Sequence, residues 1–452
     1  MHYFQTDQQT LNDLNIFGKP GSESIFSLFD RTQTRGGAKQ LEAYFRYPLA
    51  DPEKINQRIS ILKNYHQQQI SFPFKRELFD VIEQYLENTD ERSKLPTKEV
   101  SVSEKLKGLV AIDPHEKNIQ SGVSAIRELL MELHAFFKAG SNNPVEITSI
   151  EKLLNDPSVK PYIQEQGNKV KTLSYKELSD ADVLFRFQRQ DSLKAVLHTI
   201  YQIDVYISIA KVAQERGFSY PVAIDGSKQE VYFDQVYHPQ VKNAKANTLT
   251  IDPQGNIIFL TGANMAGKST LMKSIGIAMY LAHMGFPVAA MHMSFAVREG
   301  IYTSINLPDN LNKGISHFYA EVLRIKKVSQ ELGQNKNLFI IIDELFRGTN
   351  VKDAYEATVA ITSAFASKRN CMFIVSTHIM EAGDTLKKKC KNIKFVYLPT
   401  RMEGHKPVYT YTLEEGITED RHGMIIVNNE GIIDLLKRSQ PLKTNTVQHI
   451  QT

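Results

Sequence analysis

Apolar residues recur at three- and four-residue spacing through most of the first two hundred residues, the period of helices with one buried face. The spacing predicts helices over 24–47, 52–69, 74–87, 121–138 and 180–216. In the last, Val196, Ile200, Ile203 and Val212 belong to one broad stripe that core packing of a helical domain explains. The polar stretches 88–100 and 139–146 read as loops. From about residue 218 short β-rich runs alternate with helical ones. Strands are expected at 257–260, 292–305, Leu338–Ile342, 372–375, Ile393–Leu398 and 408–413, and helices at 269–283, 316–332, 351–367 and 379–388. Such alternation predicts an α/β sheet domain whose ligand chemistry sits at strand ends.

At 452 residues the chain exceeds one ordinary core and divides into about two or three domains. Its boundaries are expected near 1–216 for the helical part, 217–440 for the α/β part and 441–452 for a polar tail. The 42% hydrophobic and 23% charged content is that of a soluble globular protein. A net charge of +4 does not announce a nucleic-acid partner, so any DNA surface must be a local patch. Cys371 and Cys390 are not spaced as a metal site, which favours a reducing, cytoplasmic setting, and no secretory signal opens the chain. The apolar stretch 275–293 is interrupted by Gly285 and Pro287, so it reads as a buried helix and the next strand, and no membrane segment is predicted.

The run Gly262-Ala263-Asn264-Met265-Ala266-Gly267-Lys268-Ser269 is a complete G-x-x-x-x-G-K-S phosphate loop, placed between an expected strand and a helix that opens at Thr270. Its glycines permit the backbone angles and close approach that a Cβ would block. Lys268 can reach the β- and γ-phosphates, Ser269 can hold Mg²⁺, and the helix N-terminus adds the positive end of its dipole. This chain is therefore read as binding a nucleoside triphosphate.

Leu338–Ile342 is wholly apolar and ends in Asp343-Glu344, which suits a buried parallel strand beside that loop. Asp343 would support Mg²⁺, and Glu344 would orient or deprotonate an attacking water. After the next apolar strand, Ser376-Thr377-His378 places a histidine where it can sense phosphate. Between these motifs, Gly314 and Ser316 sit where a helix begins, and Ser316 with nearby N–H groups can donate to an anion.

Together with Gly314-x-Ser316-x-Phe318-x-x-Glu321 and Asp343-Glu344-Leu345-x-Arg347-Gly348-Thr349, these motifs resemble the ATPase domain of MutS DNA mismatch-repair proteins. His238-Pro239 fits the same family, and Leu28-Phe29-Asp30-Arg31-Thr32-x-Thr34-x-x-Gly37 resembles the start of its core, or lever, domain. The resemblance implies an α/β ABC-type P-loop ATPase domain preceded by a mostly α-helical core. It also implies a homodimer with ATP and Mg²⁺ at composite sites, coupled to levers that grip DNA. By motif position, residues 262–270 would hold phosphates, Ser269 and Asp343 the metal, Glu344 would be the base, Ser316 would reach the partner's γ-phosphate, and His378 would sense it. Arg347–Thr349 would lie at the dimer interface.

Three departures qualify the likeness. Ala263 and Ala266 stand where family members commonly show Pro and Gly, and ATP binding is expected to survive. Ala244 and Lys245 precede Asn247 where an aromatic-aliphatic pair is usual, which weakens the expected stacking on adenine. The likeness begins at the core domain, and no Phe is followed two residues later by Glu, so base-specific mismatch reading is not expected. Backbone binding through a Lys/Arg-lined channel would be salt-sensitive. The alternatives are a truncated paralogue acting on recombination intermediates, ribosomes or a protein, and a nucleotide-gated scaffold with little turnover. Intact Glu344 argues against the scaffold.

Overall fold

The structure, a computed structural model, describes residues 3–19, 21–95, 114–138, 147–163, 173–305, 317–346, 348–403, 406–418 and 432–437. Its contacts divide into a helical unit, Ile16–Pro221 with Leu281–Val288, and a sheet unit, Met1–Asn15 with Val222–Tyr280 and Ala289–Thr452. No helix among the described residues is long and apolar enough to cross a membrane.

Helix α1 (Gln8–Asp13) lies in the sheet unit. The helical unit follows with α2 (Ile25–Phe29), α3 (Arg35–Arg46), α4 (Pro52–Gln68), α5 (Glu77–Glu87), α6 (Pro114–Lys138), α7 (Thr148–Leu154), α8 (Lys160–Ile163), α9 (Tyr175–Val183) and α10 (Gln190–Arg216). The stripe expected as one helix over 24–47 is two. Thr34 caps α3, accepting the Gly37 N–H at 2.9 Å while its hydroxyl donates to the Asp204 carboxylate at 2.7 Å. Asp204, buried on α10, also accepts the N–H groups of Gln33 and Thr34. These tertiary bonds take donors that a continuous helix would need, and the chain breaks there.

The expected 180–216 helix also divides, at a π-turn over Leu184–Gln188. There Arg186 turns inward. Its Nε donates to Asp182 at 2.6 Å, Nη1 to the Ser93 hydroxyl at 2.8 Å and Nη2 to the Ser93 carbonyl at 2.9 Å. Tyr85 donates to the same aspartate at 2.7 Å. Around this buried polar knot, Ile126, Leu130 and Leu133 of α6 share a core with Phe185, Val196 and Ile200. Of the predicted loops, 88–100 contains one 3-10 turn at Glu91–Ser93, while 96–100 and 139–146 lie outside the described residues.

The sheet unit holds β1 (Val222–Ile224), β2 (Val231–Val236), β3 (Asn247–Ile251), β4 (Ile257–Gly262), β5 (His292–Ala296), β6 (Gly300–Ser304), β7 (Leu338–Ile342), β8 (Met372–Ser376), β9 (Ile393–Leu398), β10 (Thr400–Glu403), β11 (Lys406–Tyr409) and β12 (Glu414–Glu415). One mixed sheet has the order β1-β5-β2-β3, and the larger has the order β12-β9-β4-β8-β7-β6. In the larger sheet β9, β4, β8, β7 and β6 run parallel and only β12 is antiparallel. β4, β7 and β8 are buried along their whole length, which is why they read as unbroken apolar runs. Connecting helices are α11 (Lys268–His283), α12 (His317–Leu332), α13 (Val351–Ala366) and α14 (Met380–Lys389), with α15 (Ile432–Lys437) near the end. Val328 of α12, Phe365 of α13 and Leu386 of α14 join Phe259, Ile340 and Phe373 of the strands in one core.

Two expectations change here. The strand expected over 292–305 is two strands in different sheets, β5 and β6. Between them the buried Arg298 donates to the carbonyls of Ala296, Asn370 and Gly226, and a side chain so engaged turns the chain from one sheet into the other. The strand expected over 408–413 stops at Tyr409, because Tyr411 takes a left-handed φ of 56°.

The expected boundary at 216/217 lies close to the division at Pro221/Val222, but the opening residues group with the sheet unit. Gln5 accepts the Ile301 N–H at 2.9 Å and donates its own to Glu299 at 2.7 Å. Asp13 accepts from the Thr303 hydroxyl at 2.6 Å and the Ile305 N–H at 2.9 Å. Arg324 of α12 binds both Asp7 and the Thr303 carbonyl.

Candidate functional site

The chain leaves β4 at Gly262 and enters α11 at Lys268, so the glycine-rich motif forms the turn between a central parallel strand and a helix. Gly262 has φ 148° and Gly267 has φ 98°. A Cβ on Gly267 would stand 2.9 Å from the Tyr411 ring, so this position needs glycine for both its angle and its space. The turn borders a cavity of about 860 Å³. Ala263, Asn264, Met265, Gly267, Lys268, Ser269 and Thr270 line it with Glu344, His238, the 241–245 segment, Asn247, Leu398 and Tyr411. Gly262 and Ala266 complete the turn behind that lining and are buried.

Lys268 is buried, and its ammonium donates to the carbonyls of Gly262 at 2.9 Å and Ala263 at 3.2 Å. Burial pushes its pKa down, against the opposing pull of the Glu344 and Asp343 charges. The Ser269 hydroxyl donates to Asp343. Burial raises the Asp343 carboxyl, while hydrogen bonds from Ser269 and Ser376 work to lower it. At the cavity's other side, burial and the charge of Lys273 push His238 down to about 4, so its ring is neutral at pH 7.

Lys268, Ser269 and Glu344 thus line one cavity, and Asp343 is joined to it through Ser269. Contrary to expectation, the acid strand does not lie directly beside the strand of the glycine-rich turn, because β8 is inserted between β4 and β7. Ser269 and Asp343 nevertheless meet beyond the strand ends. His378 is exposed, two residues past β8, and does not line the cavity. Ser316, Gly314 and Arg347 lie outside the described residues.

Three residues at this site were not singled out from sequence as site residues. Tyr411 presents its ring to the cavity, and Asn247 holds it there, donating to the Tyr411 carbonyl at 3.0 Å and accepting the Leu413 N–H at 2.7 Å. Ser376 bonds the acid pair. Asn247 and Ser376 had signals in sequence, the one as the asparagine of the segment before the turn and the other as the first residue of Ser376-Thr377-His378, while Tyr411 had none.

A buried parallel strand, a glycine-rich turn with a lysine and a hydroxyl, and a nearby acid pair define a mixed α/β unit, accompanied here by an α-rich one. Comparison with known proteins narrows this class. Residues 9–210 match MutS domain III and residues 258–442 match MutS domain V. The chain is 26% identical over 305 residues to the DNA mismatch repair protein MutS of Persephonella marina (strain DSM 14350 / EX-H1), a stretch covering 65% of this chain and 34% of that protein. It therefore spans about a third of the length of that curated relative. The chain belongs to the MutS family.

Proposed function

We propose that this chain binds and hydrolyses ATP with Mg²⁺ at an ABC-type P-loop site completed by a second copy of itself. The helical unit then acts as levers that grip the DNA backbone, in mismatch repair or a related DNA-structure transaction. The observation that carries this reading is that Lys268, Ser269 and Glu344 line one cavity, with Asp343 bonded to Ser269 at its edge.

Lys268 exchanges two neutral carbonyls for the anionic oxygens of the β- and γ-phosphates, a stronger partner for a desolvated ammonium. The N–H groups of the turn and the N-terminus of α11 add donors along the triphosphate. The Tyr411 ring stacks on the base from one side. Glu344 accepts a proton from the water that attacks the γ-phosphorus, and ADP and phosphate leave. Ser316 of one copy donates to the γ-phosphate held by the other, His378 senses that phosphate, and the Arg347–Thr349 stretch belongs to the dimer interface.

The residues present fit a magnesium ion. The Ser269 hydroxyl already meets the Asp343 carboxylate, and magnesium held by one carboxylate, a hydroxyl and phosphate oxygens needs no larger protein cluster. Among the described residues there is no group of three or more His, Cys, Asp and Glu side chains placed to hold a metal unaided. When bound, the ion would neutralise charge on the transferring phosphoryl group.

The test is ATP turnover together with gel-shift binding to homoduplex, mismatched and branched DNA, and to ribosomes, at two salt concentrations. Expected are Mg²⁺-dependent turnover and duplex binding that falls steeply with salt, with little preference for a mismatch. Absence of turnover removes the ATPase reading. Ribosome binding without DNA binding moves the partner and removes the DNA reading. Two free cysteines, one buried, accord with a cytoplasmic setting.

A further inference from the structure

Ser376 closes β8, the strand between β4, which carries the glycine-rich turn, and β7, which carries the acids. It is fully buried. Its hydroxyl makes two bonds of opposite sense, donating to Asp343 Oδ1 and accepting the main-chain N–H of Glu344 at 3.1 Å. The second oxygen of Asp343 accepts the Ser269 hydroxyl. One serine therefore touches both acids, and through Asp343 it reaches the glycine-rich turn.

The platform under this hydroxyl is fixed. Thr377 donates its N–H to the Leu260 carbonyl at 3.3 Å, and its hydroxyl accepts the Ile379 N–H at 3.0 Å. Its target has a conformation that needs holding. Glu344 has φ 54° and Phe346 has φ 60°, both in the left-handed region that residues with a Cβ disfavour. The main chain just before, at Asp343, is tied to β6 through its N–H to the Ser304 carbonyl at 2.8 Å. The left-handed turn begins where that tie ends and where the Ser376 bond starts.

We propose that Ser376 is the positioning residue of the acid pair. Its hydroxyl sets the Asp343 carboxylate toward Ser269. It also holds the Glu344 main chain in the left-handed conformation from which its carboxylate faces the cavity. Only a side chain that donates and accepts at one atom can serve both acids, so a serine or threonine hydroxyl is the chemistry this position requires. The role rests on the ATPase reading above and deepens it: the acid pair is set from the neighbouring strand as well as by its own.

The test compares full-length Ser376→Ala, Ser376→Thr and Ser376→Cys with the unsubstituted chain. ATP turnover is titrated against ATP and against Mg²⁺, and binding of a non-hydrolysable ATP analogue is measured without metal. Losing one bond to each acid should lower kcat in Ser376→Ala by about ten- to a hundredfold and raise the Mg²⁺ half-saturation. KM for ATP and metal-free analogue binding should stay within about twofold, because Lys268 and the turn are untouched. Ser376→Thr, which keeps the hydroxyl, should recover most of the turnover. Ser376→Cys matches serine closely in size but bonds weakly, so it should remain impaired, and it carries the test if the alanine variant fails to fold.

Turnover within about twofold of the unsubstituted chain in both the alanine and cysteine variants overturns the proposal. So does an equal loss of metal-free analogue binding, the mark of general damage to the site. If the unsubstituted chain neither binds nor hydrolyses ATP, the ATPase reading itself has failed, and that outcome is visible before any variant is compared.

Discussion

Replacing Tyr411 by alanine should weaken ATP without weakening a bare triphosphate. The ring is 43% exposed on the cavity wall and packs over Gly267, where a Cβ would come within 2.9 Å of it. Its main chain sits at φ 56° and is clamped by both ends of the Asn247 amide. Val241 to Lys245, which also line the cavity, contribute no aromatic ring, and His238 supplies another ring on its wall. Stacking of a base on an aromatic side chain is worth about 1–3 kcal/mol, and a half-exposed ring belongs toward the lower end. That corresponds to roughly a tenfold loss of affinity. Calorimetric titration of ATP and of inorganic tripolyphosphate separates base from phosphate. Tyr411→Ala should lose about tenfold for ATP and under about twofold for tripolyphosphate, with Tyr411→Phe close to the unsubstituted chain. Asn247→Ala should fall between them, because it loosens the ring without removing it. Equal losses for ATP and tripolyphosphate would refute the reasoning, since the substitution would then act on the glycine-rich turn rather than on the base. Unchanged ATP affinity would refute it as well.

The helical unit has its own sensitive point at Asp182, which is fully buried with Arg186 and Tyr85 bonded to it. Asp182→Ala should cost about 3–5 kcal/mol in urea unfolding, because it strands a buried guanidinium, while Asp182→Ala with Arg186→Met should recover much of that loss. A double variant no more stable than the single one would place the cost elsewhere. In the sheet unit, burial acts to raise the Asp7 carboxyl, but hydrogen bonds from Arg324 and Lys327 and the Arg324 charge outweigh it and hold it well below its ordinary 3.8. A folded pKa below the unfolded one contributes stability that is complete above about pH 4 and is lost as pH falls toward the folded value. Melting curves from pH 7 to 3 should therefore decline less steeply for Asp7→Asn than for the unsubstituted chain, and parallel declines would exclude this pair as the cause. Glu344→Gln should retain ATP, lose about a hundredfold or more of its turnover and accumulate a dimer in sedimentation, and normal turnover would remove Glu344 as the base. Ser316→Ala mixed with Lys268→Ala should regain activity that neither has alone if each site takes residues from two copies, and an inactive mixture speaks for self-contained sites.

What could be read from sequence and what could not divide along a physical line. The 262–269 turn was legible because chain connectivity alone supplies its geometry: eight consecutive residues carry the glycines, the lysine and the hydroxyl. The buried strands were legible because β4, β7 and β8 are covered on both faces and are apolar along most of their length. Periodicity records that a face is buried and says nothing about what buries it. Hence the Arg35–Arg46 and Ile25–Phe29 helices merged into one stripe, and the ties of Asp7 and Asp13 to Thr303 and Arg324 were invisible. Tyr411 was hidden differently, by lying in an alternating run that resembles a strand while its own φ is positive.

Strand order accounts for the rest. Along the chain the order is β4, β6, β7, β8, but across the sheet it is β4-β8-β7-β6. The wholly apolar acid strand suits a place directly beside the glycine-rich turn, and nothing local in the chain shows another strand between them. The crossover instead puts the serine strand between them, where side chains from its two neighbours converge. In such a sheet the residue ending the intervening strand is the one whose side chain can bond acids from one neighbour while they contact the loop of the other. Here that residue is a serine, with a hydroxyl that both donates and accepts. An apolar residue at 376 would leave the Ser269–Asp343 contact to hold the acid pair against the left-handed strain at Glu344 without it.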